Sequence, residues 1–185
     1  MCESAIISRA SASVMAQCII STKWGYIGIS ATERGITRIT LPLRSWQKVQ
    51  CALRDAPHDD SIVARRLIER AGHLLAKYFE GEWSDELTEL PVDLMNVPMT
   101  YRRILEHLRK VPVGATISYS ELARRAGIPR GARIVGRAMA RNPVPILIPC
   151  HRVVRADGSL GGFGGGICLK RQLLELEKVI STCAR

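Results

Sequence analysis

The chain has 185 residues, enough for one large domain or two small ones, and 46% of them are hydrophobic, the share of a globular protein. No stretch approaches the roughly eighteen uninterrupted apolar residues that span a membrane, and the N-terminus lacks the basic start and apolar run of a secretory signal, so a cytoplasmic protein with no membrane partner is expected. The charge is divided: residues 1–96 carry 11 Lys/Arg against 12 Asp/Glu, whereas residues 97–185 carry 16 against 5, which equips the second half to meet a polyanion such as nucleic acid.

The six cysteines (Cys2, Cys18, Cys51, Cys150, Cys168, Cys183) are scattered without a Cys-x-x-Cys pair, so neither a disulfide framework nor a zinc ribbon follows. His58 and His73 could join Cys18 or Cys51, but the spacing makes no ligand pattern, and no metal is expected.

Residues 1–14 are small, polar and aperiodic and read as a flexible tail. Over residues 16–43, short β-branched runs (Cys18-Ile19-Ile20, Tyr26-Ile27-Gly28-Ile29, Ile36-Thr37-Arg38-Ile39-Thr40) alternate with Lys23-Trp24-Gly25 and Thr32-Glu33-Arg34-Gly35, the pattern of antiparallel hairpins in a three-stranded sheet. Over residues 60–79, Val63, Leu67, Ala71, Leu74, Leu75 and Tyr78 recur at helical spacing and Gly81 supplies a stop. This helix would cover the sheet, with His73 a partly buried packing residue. The expected organisation is an α+β chain: a small α/β domain over residues 15–90, a linker over 91–98 within a charged, proline-containing passage, and a second, mainly helical domain over 99–185.

The second domain opens with an amphipathic helix over residues 101–109. Ser118-Tyr119-Ser120-Glu121 then has the form of a capping box, and the helix it starts ends at Gly127. A further helix over residues 131–140 completes the outline of a helix-turn-helix. Arg133, Arg137 and Arg141 follow at intervals of four, with Ile134, Val135, Ala138 and Met139 on the other side, so one face is basic and the other buried. Next comes Asn142-Pro143-Val144-Pro145-Ile146-Leu147-Ile148-Pro149-Cys150-His151-Arg152-Val153. Pro149 fixes its own backbone and favours an extended Ile148, so Cys150 is expected at the end of a buried extended segment. A buried structural cysteine is the plain alternative for a Cys-His pair alone. The glycine-rich run from Asp157 to Gly166 lacks the Gly-Lys-Ser/Thr ending of a phosphate loop, and suits main chain laid against a flat ligand. A last amphipathic helix over residues 168–178 turns Leu169, Leu173, Leu174 and Leu176 inward.

A thiol must ionise to attack, so Cys150 needs a base. His151 is a sequence neighbour whose side chain diverges from it, which calls for a bridging water and a carboxylate to hold the imidazole.

The string Ile148-Pro149-Cys150-His151-Arg152-Val153 resembles the active-site signature of the O6-alkylguanine-DNA alkyltransferases, and matches to that family extend over residues 116–177 and more thinly over the N-terminal half. The resemblance implies a ribonuclease H-like N-terminal domain and a C-terminal winged-helix or helix-turn-helix domain. It also implies a direct-reversal repair protein that moves a methyl or small alkyl group from guanine O6, and from thymine O4, to Cys150. A base inside a duplex is out of reach of a buried thiol, so the nucleotide must be extruded. By resemblance, Cys150, His151, Glu177 and Tyr119 are catalytic, Glu175 being a near neighbour of the assigned carboxylate. Arg133 fills the gap in the duplex while its helix lies in the minor groove; Arg137, Arg141, Asn142 and Tyr119 join it on DNA. Met139, Pro145, Val153, Phe163 and Gly164 form the substrate pocket. The partner is double-stranded DNA containing O6-alkylguanine, met by a monomer that can bind it cooperatively.

The chain departs from the family at Thr100-Tyr101, where Phe-Gln is expected, and at Leu105, where Trp is expected. S-alkylcysteine offers no group for water to attack, so the protein acts once, as a suicide methyltransferase without a cofactor. A cysteine hydrolase would not need the arginine face, and a DNA-damage sensor without catalysis would not need Cys150.

Overall fold

The structure, a computed structural model, describes residues 17–178 and divides into two compact units, with the boundary after Leu94. The tail read over residues 1–14 lies outside the described residues, as do the last seven positions.

The first unit is built on an antiparallel sheet in the order β1 (Gln17–Thr22), β2 (Gly25–Thr32), β3 (Gly35–Ile39), the three strands expected from the β-branched runs. β2 is buried along nearly its whole length because helices cover both faces. On one face Gly28 meets α1 (Trp46–Leu53) so closely that a Cβ would stand 2.6 Å from Val49 and 2.8 Å from Leu53. On the other, Gly72 of α2 (Ile62–Glu80) faces Ile20 and Ile29. Ser61 caps the start of α2 by accepting from Ala64 N, and Gly81, at φ 89°, ends it in the left-handed conformation.

The periodicity placed α2 and most of its buried face, since Ala71, Leu74, Leu75 and Tyr78 are buried as expected, but not the first turns, where Ala64 and Ile68 replace Val63 and Leu67. Its buried stripe runs through Ala64, Ile68, Ala71, Gly72, Leu75, Tyr78 and Phe79, which leaves Val63 52% exposed and turns His73 outward, so His73 is not a packing residue. The passage after α2 carries the short α3 (Glu86–Glu89), and the strand edge of β3 is extended by residues 91–93: Ile36 N donates to Pro91 O at 2.8 Å and Asp93 N to Ile36 O at 2.9 Å.

The second unit is mainly helical. α4 (Met99–Arg109) buries Ile104, Leu105 and Leu108, so Leu105 fills a core position where the family pattern has Trp. Ser118 caps α5 (Tyr119–Arg125) by accepting from Glu121 N at 3.1 Å, while the Glu121 carboxylate turns to Arg124 and Arg125, leaving half a capping box. α5 ends at Gly127 (φ 66°), with Ile128 N returning to Ala123 O, and α6 (Ala132–Ala140) follows after a short turn. The two-residue strands β4 (Ile117–Ser118) and β5 (Val153–Val154) pair in parallel, and α7 (Ile167–Leu176) closes the unit. The chain is therefore α+β.

Gly35 tests the sheet edge. At φ 152° an added Cβ would lie 2.7 Å from the Pro91 carbonyl carbon. Gly35→Ala is expected to destabilise the first unit by roughly 1–3 kcal/mol. The three tryptophans, Trp24, Trp46 and Trp83, all lie in this unit, so their fluorescence during urea unfolding reads the change. An unmoved midpoint would contradict the packing described.

Candidate active site

Cys150 is reached through a buried turn and not the extended segment expected. Ile146 adopts φ 75°, a left-handed conformation that a β-branched residue avoids and that costs about 1–3 kcal/mol. Asn142 clamps the turn around it: Oδ1 accepts from Val144 N at 3.1 Å, and Nδ2 donates to Ile148 O at 2.8 Å. The chain then enters a 3-10 turn, Cys150–Arg152, and passes into β5. The pairing Ile117↔Val153 and Ser118↔Val154 sets the N-cap of α5 beside this segment, which carries Tyr119 to the cysteine.

One cavity of about 790 Å³ collects Tyr119, Arg133, Met139, Cys150, Phe163 and Gly164, six of the residues singled out in the sequence. Pro145 and Val153 are buried and do not line it; Asn142 acts from behind it. Arg137 is exposed on α6, and Arg141, at the end of that helix, lies over the Tyr101 ring with 5.5 Å to the centroid. Gly136 leaves open space in the cavity wall, since a Cβ there would meet nothing within 4 Å.

Behind the thiol lies a fully buried charge cluster. His151 Nε2 donates to Glu177 Oε1 at 2.9 Å, while Arg152 grips the same carboxylate twice, Nε to Oε2 at 2.8 Å and Nη2 to Oε1 at 2.7 Å. Arg152 Nη1 donates to Val111 O at 2.6 Å. Burial alone would raise the Glu177 carboxyl, but the bonds from Arg152 and His151 outweigh it and hold the group at about 2. Glu177 is thus ionised, and the imidazole must carry its proton on Nε2 to meet it. Nδ1, buried and without a hydrogen-bond partner among the described residues, is the nitrogen that remains to accept a proton. Burial depresses the His151 pKa, against the pull of Glu177, so the ring rests neutral. Glu175 is only half-buried; Glu177 is the carboxylate that meets His151.

Burial pushes the Cys150 thiol up; the Asn142 side chain, main-chain groups of Cys150 and His151, and the Lys170 charge pull the other way. Burial likewise pushes the Tyr119 phenol up, so it keeps its proton and is a donor at neutral pH. Lys170, brought down to about 8 chiefly by burial, donates to Val153 O and Leu160 O and so ties the glycine-rich loop to β5. Lys170 and Arg152 are the two site residues that sequence reading missed. Arg152 stood inside the motif without an assigned task. Lys170 gave a readable signal, because it shares the i, i+3, i+4, i+7 stripe of α7 with Leu173, Leu174 and Glu177.

Among the described residues no group of three or more His, Cys, Asp or Glu side chains is placed to hold a metal ion, and no helix is long and apolar enough to cross a membrane.

Comparison with known proteins assigns this arrangement. Residues 15–94 match the ribonuclease-like domain of 6-O-methylguanine DNA methyltransferase and residues 99–179 match its DNA binding domain. A methylated-DNA--protein-cysteine methyltransferase of Methanocaldococcus vulcanius is 30% identical over 158 residues, which cover 83% of this chain and 92% of the relative. The chain belongs to the O6-methylguanine DNA methyltransferase family. The like-named protein of Mycobacterium bovis is 48% identical over 105 residues, 56% of this chain; that match spans only 61% of the relative's length. Among solved structures, Mycobacterium tuberculosis OGT in complex with DNA superposes with a TM-score of 0.69 at 33% identity, covering 86% of this chain and 91% of the other. An O6-methylguanine DNA methyltransferase from Methanococcus jannaschii gives 0.62 at 28% identity, covering 90% and 96%.

Glu177→Gln is the direct probe of the cluster. It leaves Arg152, 1% exposed, without its counter-charge, at a cost of roughly 3–5 kcal/mol. The folded carboxyl binds its proton less tightly than the ordinary value of 4.5, so its stabilisation is complete above that pH and is lost as pH falls toward about 2. Hydrogen exchange at the α7 amides should therefore rise in the variant at pH 7 and should lose the wild type's acceleration over that acid window. Wild-type protection at pH 7 in the variant would contradict the arrangement.

Proposed function

We propose that this protein repairs alkylated DNA by moving a methyl or small alkyl group from guanine O6, and from thymine O4, irreversibly to Cys150. The observation that carries the reading is a thiol facing a cavity whose walls are otherwise largely apolar and glycine-rich, backed by a buried His-Glu pair. Family membership supports the same chemistry. Residues 99–185 carry out DNA binding and transfer, and residues 15–90 form the accompanying domain; of the expected linker 91–98, residues 91–93 belong to that domain through the edge of β3, which leaves 95–98 to join the two.

The target nucleotide leaves the duplex and enters the cavity, with Arg133 filling the space it vacates while α6 lies in the minor groove. Arg137, Arg141 and Asn142 support this binding, Asn142 through the turn it clamps. Met139 and Phe163 bound the alkyl group, and main-chain groups of Cys150 and Gly164 read the base.

His151 Nδ1 takes the thiol proton through a bridging water, and Glu177 stabilises the imidazolium that forms. The sulfur attacks the alkyl carbon, the carbon–oxygen bond breaks, and its electron pair stays with the guanine. Tyr119, still protonated, donates toward ring N3 as that charge develops. The thiol's proton ends on the restored guanine and the alkyl group on sulfur, so no cofactor is consumed. No base in the site can reverse a thioether, and each monomer, working in the cytoplasm and cooperatively on DNA, reacts once.

Incubation with a duplex containing O6-methylguanine should add one methyl group per molecule, located on Cys150 by intact mass and peptide mapping. Cys150→Ser should abolish the addition and retain DNA binding. More than one guanine repaired per protein molecule would refute the single-use reaction.

A further inference from the structure

Two arginines from different elements line the cavity: Arg133 from α6 and Arg155 from the loop after β5. The transfer described above employs the first and leaves the second without a task. The backbone that carries Arg155 is held firmly. Its N–H donates to Ser159 O at 2.8 Å, its carbonyl accepts from Gly158 N at 3.0 Å, and Asp157 Oδ1 accepts from Ser159 N at 2.9 Å. The tight turn so formed has Gly158 at φ 81°, open to glycine and strained for most other residues.

The stem of Arg155 is packed as well. At Gly161 (φ 66°) an added Cβ would stand 3.2 Å from the Tyr119 hydroxyl and 3.6 Å from Arg155 Cγ, so bare backbone at this position lets both side chains close on it. The residue as a whole stays exposed, and no ion pair among the described residues neutralises it. Its field reaches the site: burial and Cys150 raise the Tyr119 phenol, and Arg155 draws it down.

A base seated in this cavity cannot take its phosphates with it, because the walls are largely apolar and the charges would lose their hydration. The two flanking phosphates stay at the mouth, where an exposed guanidinium on a fixed stem can bind one of them with two parallel hydrogen bonds. We propose that Arg155 grips a phosphate flanking the extruded nucleotide, a contact made from the β5–α7 loop and separate from those of α6. It rests on the repair reading given above and adds to it a residue that acts on DNA strands and not on a free base. Arg155 is thus a positioning residue: it holds the backbone of the flipped nucleotide and leaves the bond-making step to Cys150.

The test uses the full chain with Arg155→Gln and Arg155→Lys. Affinity for an O6-methylguanine duplex is measured against salt in a Cys150→Ser background, and single-turnover transfer to Cys150 is measured from the duplex and from free O6-benzylguanine base. Arg155→Gln should reduce the slope of log affinity against log salt by about 0.9, the value of one phosphate contact. It should also weaken duplex binding and sub-saturating duplex repair about ten-fold, the loss expected for one charge-assisted hydrogen-bonded contact, with a several-fold smaller effect on the free base. Arg155→Lys should restore the slope. An unchanged slope in Arg155→Gln, or equal losses on duplex and free base, would overturn the proposal; equal losses would assign Arg155 to the field around Tyr119 instead. Absence of transfer by wild-type protein from the duplex refutes the repair reading itself, whereas wild-type transfer with an unchanged Arg155→Gln slope refutes only the phosphate grip.

Discussion

One carboxylate, Glu177, satisfies two buried cations or potential cations at once, and the rest of the site depends on it. Arg152 and His151 are adjacent in a 3-10 turn, both inaccessible, and both end on the same group contributed from just beyond α7. Remove that group and a guanidinium is stranded in the interior, a situation far more costly than the pair is worth in net terms. The shared carboxylate therefore fixes three things together: the turn that carries Cys150, the seating of α7 against it, and the tautomer of the imidazole. Through Arg152 Nη1 it also reaches Val111 O, in the chain between α4 and β4.

Chemistry and fold are joined here by burial. A thiol pushed up by desolvation is a poor nucleophile toward solvent, and the proposed reaction needs its proton removed only when a base occupies the cavity. The same desolvation strengthens each polar contact around the sulfur, so the Lys170 charge and the Asn142 amide act at short range in a medium that screens them weakly. The cost is carried by local conformation. Ile146 in a left-handed backbone and a two-residue parallel strand pair are not favourable by themselves; the Asn142 clamp and the Lys170 bonds to Val153 O and Leu160 O hold them.

Much of this was legible in the sequence, for physical reasons that differ by residue. The three strands announced themselves because β-branched runs were separated by Gly25 and Gly35, and α2 because its apolar residues recur at helical spacing up to the stop at Gly81. Only the first turns of α2 were less readable: Val63 and Ala64 are neighbours at the helix start, and packing chose the smaller one. α1 escaped because its eight residues bury only Val49 and Leu53 within the helix. The Pro149-Cys150-His151-Arg152 string named the nucleophile, yet proline rules predicted an extended approach to it. A left-handed isoleucine is specified by tertiary contacts that no local propensity encodes. Lys170 was passed over since a lysine on an amphipathic helix is read as solvated, although its place on the inward stripe argued otherwise.

The central claim is that His151 rests neutral, with its proton on Nε2 toward an ionised Glu177 and Nδ1 open to receive one. Nitrogen-15 NMR of the imidazole in the unreacted protein measures this directly. The account predicts a neutral ring at pH 7 with a protonated Nε2 and an unprotonated Nδ1, and a transition to the doubly protonated form only below the ordinary histidine value of 6.5. A ring that is protonated at both nitrogens at pH 7, or that carries its single proton on Nδ1, would contradict it.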